Sequence, residues 1–158
     1  MRHTEKTFQA KIPVRLFVKK IILREFGNEP ILLTQKSLLG KQVLNMGFDL
    51  PFDFAGDDSA LEKCYGEPLE VQISHRLWRH FTQYKSLFQA GYFFEKMCQW
   101  MLLMHMRAQV RAGREAWGSM VDFMALYDIG EDDYPLESAY AIWKTYKREH
   151  MSMIHAQV

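Results

Sequence analysis

The chain has 158 residues, 48% of them hydrophobic and 25% charged, and a formal net charge of +1. This length and composition are typical of a globular domain that buries its core without disulfides or a metal ion, and they exclude an intrinsically disordered chain. We therefore predict a single domain over residues 1–158. Aromatic residues make up 14% of the chain, which indicates either a dense core or an adhesive surface patch.

The cellular location is inferred from the cysteines and the apolar runs. Cys64 and Cys98 lie far apart, and neither is in a CxxC pair, which favours reduced cysteines over a disulfide or a zinc site. The N-terminal segment has charged residues where a secretory signal needs apolar ones, and runs such as Trp100 to Met104 are too short to span a bilayer. The expected location is the cytoplasm, without membrane association.

A strand, a helix and a short extended piece are predicted in the first part of the chain. The strand covers Phe8 to Val14, and Pro13 confines it to the edge of a sheet or to its last residue. Val14 to Phe26 follows as an amphipathic helix, for which Gly27 is a typical C-terminal cap. Ile31 to Thr34 is predicted to be extended.

The middle of the chain is predicted to hold a helix, a loop and a second strand. Ser37 to Met46 forms the helix, and residues 49–68, which are rich in Pro, Gly and acidic residues, form the loop. Leu69 to Ser74 alternates apolar and polar residues, as a half-buried strand does, and Ser74 can cap a helix that continues through Tyr84. This strand-then-helix layout repeats that of the first strand and helix, which is compatible with an internal repeat whose strands pair and also with chance.

The longest predicted helix runs from Gly91 to Ala112. When its residues are placed at 100° intervals, one wide apolar stripe results, comprising Phe93, Phe94, Met97, Cys98, Trp100, Met101, Met104 and Ala108. Leu102, Leu103 and Met106 fall on the polar side. We predict that these three residues contact a second element or form an interface with a second subunit.

Two further helices are predicted near the C-terminus, over Trp117 to Tyr127 and after Pro135, which suits a first helical turn. Together they have the outline of a helix-turn-helix. The turn carries acidic residues, including Glu131 and Asp132, which phosphates would repel. We therefore prefer to interpret this turn as part of an antiparallel hairpin in which acidic residues cap the last helix. The predicted fold is mainly α, in the α+β class, with a long central amphipathic helix, this helix-turn-helix-like hairpin and one or two short β-strands in the N-terminal half.

Basic residues are concentrated in two parts of the chain. Residues 1–50 have nine Lys and Arg against four Asp and Glu, and residues 71–130 have seven against four, whereas acidic residues prevail elsewhere. This segregation fits a surface that faces phosphates, and ordinary solvated faces are the alternative. The candidate nucleic-acid-binding residues are Arg15, Lys19, Lys20, Arg107, Arg111, Arg114, Lys144, Lys147 and Arg148. For the three arginines from Arg107 to Arg114, compensation of the helix dipole is a competing explanation.

Part of the sequence resembles a known group of proteins. The segment MVDFMALYDIGEDDYPLESAYAIWKTYKRE (residues 120–149), together with VKKIILREFG (residues 18–27), is similar to small uncharacterised proteins encoded by bacterial prophages and mobile elements. The resemblance is limited to these two segments and includes no diagnostic motif. It implies nucleic-acid handling in a mobile element and transfers no catalytic residue.

No enzymatic chemistry is predicted. The sequence has no GxSxG, P-loop, GxGxxG or HExxH motif. His75 and His80 are poorly spaced for two ligands on one helix face, and the methionines around His105 are expected to fill the core rather than bind copper. Acidic residues between positions 53 and 62 lack the EF-hand spacing. We expect no catalytic residue, no metal and no cofactor.

Two functions fit these observations. The first is a non-enzymatic DNA-binding or DNA-associated accessory protein of a phage or mobile element, whose partner is nucleic acid. The alternative is a protein-interaction or self-assembly module, in which an aromatic- and methionine-rich interface binds a second copy or another protein.

Overall fold

The computed structural model describes residues 6–45, 66–81 and 84–150. The elements in these ranges are β1 (Thr7–Val14), α1 (Leu16–Phe26), β2 (Ile31–Leu33), α2 (Leu38–Asn45), β3 (Glu67–Ser74), α3 (His75–Trp78), α4 (Tyr84–Arg111), α5 (Ala116–Leu126) and α6 (Leu136–His150). The chain divides into two compact units, Met1–Lys96 and Met97–Val158, and the division falls inside α4. The predicted α+β class with a long central helix is confirmed. Over the described ranges, no helix is long and apolar enough to cross a membrane.

Over the described residues, the first unit contains a three-stranded mixed sheet with the strand order β1-β3-β2. β2 falls within the predicted extended piece Ile31 to Thr34, and the fold prediction had allowed for one or two strands. β1 pairs with β3 antiparallel, and β2 pairs with β3 parallel. The two longer strands therefore pair, as one of the two explanations of their repeated layout supposed, and Pro13 lies in an edge strand as expected. Alternation along the strands buries one face of the sheet, formed by Ile12, Val14, Ile31, Leu33, Leu69, Val71 and Ile73.

The caps and turns of this unit follow the local sequence. Gly27 ends α1 with φ of 106°, and its N–H donates to the Leu23 carbonyl at 3.2 Å. The Ser74 hydroxyl accepts from the Leu77 N–H at 3.4 Å and so caps α3, but this helix ends at Trp78 rather than continuing through Tyr84. The predicted loop at residues 49–68 lies mostly outside the described residues, and its last two residues belong to β3.

β2 is shorter than β3, and the two side chains of an ion pair bond the backbone of β3 beyond the start of β2. The Lys19 ammonium donates to the Pro68 carbonyl at 3.1 Å, and a Glu29 carboxylate oxygen accepts from the Glu70 N–H at 2.9 Å. The two charged groups lie 3.4 Å apart. In a parallel ladder, these backbone groups of β3 are the ones that a residue opposite Leu69 would bond. Side chains of α1 and the following turn thus take the place of a longer strand.

The buried face of α4 differs from the predicted stripe. The buried residues from Phe94 onward are Phe94, Glu95, Cys98, Leu102, Leu103 and Met106. Trp100 and Ala108, which belong to the predicted stripe, are exposed. The inward face is therefore turned by roughly a third of a turn from the prediction.

Two contacts with the start of the chain explain this difference. The Glu95 carboxylate is buried and lies 3.6 Å from Nε of Arg15. At Gly91, the helix passes so close to β1 that a Cβ would overlap the carbonyl oxygen of Pro13. A helical wheel based on hydropathy assigns a glutamate to the outer face, and a glycine contributes little to it. Such a wheel therefore cannot place Glu95 or Gly91 on the inner face.

The second unit holds α5 and α6, joined by residues 127–135. Met120, Phe123, Trp143 and Tyr146 are buried. A Glu131 carboxylate oxygen accepts from the Leu136 N–H at 3.2 Å. The prediction that acidic residues of the turn cap the last helix is confirmed for Glu131.

The close approach of α4 to β1 predicts a large effect of one methyl group. Gly91→Ala should lower the free energy of unfolding by about 1–3 kcal/mol, because backbone or helix must move to accommodate the Cβ. Gly118→Ala in α5 is the matched control, since a Cβ there meets nothing within 4 Å, and it should leave the stability equal or raise it by up to about 1 kcal/mol. Urea unfolding followed by circular dichroism measures both. Equal midpoints for Gly91→Ala and the wild type would contradict the contact.

Candidate protein-interaction surface

The basic residues predicted in the first unit serve the fold. Arg15 is paired with Glu95, and Lys19 is held by Glu29 and the Pro68 carbonyl. Lys20 is half-buried and also engaged within the chain. A lysine or arginine committed in this way is poorly placed to neutralise a phosphate.

The basic residues of the second unit lie on separate elements. Arg107 is half-buried, and Arg111 is exposed at the last residue of α4. Gly113 has φ of 85°, and Arg114 follows it outside the helix, so the three arginines do not share one helical edge. Lys144, Lys147 and Arg148 are exposed on α6.

The predicted interface residues of α4 belong to the core. Leu102, Leu103 and Met106 are 2%, 7% and 0% exposed. Their burial fits the first of the two predicted alternatives, contact with a second element of the chain, and leaves them little surface for a second subunit. The surplus of apolar residues in this helix reflects the rotated inner face described above.

An exposed apolar surface lies instead on α5. We define the α5 surface as Trp117, Gly118, Val121, Asp122, Ala125 and Leu126, which occupy one half of the helix circumference at 100° per residue. Trp117, Val121 and Leu126 are 39%, 40% and 48% exposed. Asp122 is the one charged residue in this set.

The opposite half of α5 is fixed by contacts within the second unit. Ser119, Met120, Phe123 and Met124 are all buried. Nε2 of His105 donates to the Ser119 carbonyl at 3.1 Å, and the His105 ring lies 5.4 Å from the ring of Phe123. These contacts orient α5 and leave the α5 surface in solvent.

Basic residues lie at one end of the α5 surface, and acidic residues lie at the other. Trp117 packs edge-on against Tyr140 at 5.1 Å, and the Lys144 ammonium lies 5.2 Å from the same Tyr140 ring. We call Arg111, Arg114 and Lys144, which lie at or beside the start of α5, the basic end. The exposed Glu115, immediately before α5, carries the opposite charge, and this end remains net positive. The acidic end, Asp128, Glu131 and Asp132, directly follows α5. This order is the reverse of what the α5 dipole favours, so α5 itself gains nothing from it.

One signal in the sequence could have identified the α5 surface. The helix AWGSMVDFMAL carries a single charged residue and apolar side chains on both faces. A helix that is apolar all round requires cover on both sides. Its regular apolar spacing alone shows only that one side is buried.

Other places in the described residues offer less for ligand binding. A groove of about 250 Å³ lies on the sheet, lined by Gln9, Ala10, Lys11, Pro30, Glu70 and Val71. Its volume is below that of typical small-molecule sites, and its two charged residues face each other across paired strands. Within the described ranges, no group of three or more His, Cys, Asp or Glu side chains is arranged to hold a metal ion.

Comparison of the chain with protein-family models, characterised proteins and solved structures gives no match.

Proposed function

We propose that the protein is a non-enzymatic interaction module that binds protein through the α5 surface. The observation that carries the proposal is the exposure of half a helix with a single charge. Water contact with apolar area is unfavourable by about 25 cal/mol per Å², and contiguous apolar patches on soluble proteins mark interaction sites. A cytoplasmic location is part of this proposal.

The chemistry of the α5 surface favours protein over other ligands. Small molecules bind in concave sites, whereas this surface is the outer side of a helix. Nucleic acid requires cations that reach phosphates, and none of the six residues of the surface is basic. An exposed tryptophan beside aliphatic residues, with charges kept to the rim, is the composition of a protein interface.

A charge placed in the middle of the surface should abolish binding. Val121→Asp should weaken association by about 100-fold or more, because an unpaired carboxylate would be buried at the contact. Leu38→Asp is the matched control, since Leu38 is 62% exposed on α2. Sedimentation velocity of the purified proteins reports self-association, and quantitative affinity capture with each variant as bait reports binding to other proteins.

The comparison of Val121→Asp with Leu38→Asp decides whether the α5 surface binds protein. The proposal requires that Val121→Asp lose association in at least one of the two measurements while Leu38→Asp retains it. Identical behaviour of the wild type and Val121→Asp in both measurements would contradict the proposal, provided that circular dichroism shows both proteins to be folded.

We propose DNA association, in the setting of a phage or mobile element, as a second candidate function. The observation in its favour is the exposure of Arg111, Arg114, Lys144 and Lys147 in one unit. Binding to labelled duplex or single-stranded DNA, measured by fluorescence anisotropy, should weaken steeply as salt rises. Absence of binding at low salt would remove this candidate.

A further inference from the structure

Resting on the proposed function, we infer that the partner of the α5 surface is a second copy of this chain, bound with the two α5 helices antiparallel about a two-fold axis. The inference has two supports that are independent of each other. One is the charge at the ends of the surface, and the other is the order of large and small residues along it.

The charged ends of two copies are complementary when the two α5 helices are antiparallel. An antiparallel pair brings the basic end of each copy to the acidic end of the other, twice per dimer. A parallel pair would bring basic to basic and acidic to acidic. Opposite charges across an interface fix the orientation of the partners, and like charges oppose it. Asp132, Arg111 and Arg114 are exposed and available for this role.

The order of residue sizes is also complementary in the antiparallel orientation. Gly118 and Ala125 lie along the midline of the α5 surface, two turns apart, and a Cβ at Gly118 would meet nothing within 4 Å. When two helices are centred between Val121 and Asp122, Gly118 faces Ala125 of the second copy and Trp117 faces Leu126. Small residues on the midline let two backbones approach closely, and the large apolar residues then close over each side.

The size of the surface sets the strength of the dimer. Stable complexes bury about 800 Å² on each partner, and the exposed parts of Trp117, Val121 and Leu126 supply less than that. Asp122 lies near the axis in both copies, which adds some repulsion. The dimer is therefore weak and concentration-dependent, with a dissociation constant of about 10 to 500 µM.

Charge reversal at one end tests the orientation. The acidic variant is Arg111→Glu with Arg114→Glu, and the basic variant is Glu131→Gln with Asp132→Lys, in which the glutamine can still accept from the Leu136 N–H. Sedimentation equilibrium at low ionic strength measures each variant alone and both mixed. Each alone should dimerise about tenfold more weakly than the wild type, and the mixture should recover the wild-type affinity.

Salt and a matched control complete the test. Raising the salt should weaken the wild-type dimer several-fold, because attractive charges are screened. Lys36→Glu with Lys41→Glu makes the same change in net charge as the acidic variant, but at exposed positions around α2. This control should dimerise like the wild type. Circular dichroism and urea unfolding establish that every variant is folded.

Three results would overturn the inference. A wild type that is monomeric up to about 1 mM excludes a second copy, while the capture experiment with Val121→Asp still decides the proposed function. A second such result is a dimer that Val121→Asp abolishes but that neither charge reversal nor salt weakens. This result excludes the antiparallel arrangement and is still compatible with the proposed function. Dimerisation that salt strengthens indicates the parallel arrangement.

Discussion

The rotation of α4 about its own axis is set where this helix passes β1 and α1. The close approach of Gly91 to the Pro13 carbonyl and the pairing of Glu95 with Arg15 place one side of α4 inward. Beyond Lys96, in the second unit, Leu102 and Met106 of the same helix are buried as well. A buried carboxylate without its partner would be strongly unfavourable, so the ion pair admits one orientation of the helix.

The exposed apolar surface of the second unit follows from how its interior is filled. α4 supplies Leu102, Leu103 and Met106 to the buried set, and α5 supplies its Ser119 to Met124 side, held by His105. No polar face is left on α5 to meet water, because the sequence of that helix has a single charge. The apolar composition of α5 therefore produces the α5 surface. A second copy, with its α5 helix antiparallel, is the proposed partner whose charged ends complement those of the first.

The parts of the fold that were predictable from the sequence depend on neighbouring residues. Alternation identified β3, Pro13 identified an edge strand, and Gly27 and Ser74 identified helix caps. The features that the sequence does not predict depend on residues far apart in the chain. The partner of Lys19 at Pro68 is 49 residues away, so the local sequence does not show that this lysine bonds within the fold. The inner face of α4 is not predictable from the neighbouring residues, because Glu95 pairs with Arg15, which lies far earlier in the chain. The α5 surface is not predicted for a different reason, since regular apolar spacing in a helix with a single charge indicates only that one side is buried.

In the proposed dimer, a second copy covers the α5 surface in solution. Hydroxyl-radical footprinting of the unmodified protein at rising concentration tests it directly, because Trp117 lies in the α5 surface and Trp100, which is 53% exposed, lies outside it. Oxidation of Trp117 should fall several-fold between about 1 µM and 1 mM, across the weak-dimer range, while oxidation of Trp100 stays constant. A ratio of Trp117 to Trp100 oxidation that does not change with concentration would contradict the claim.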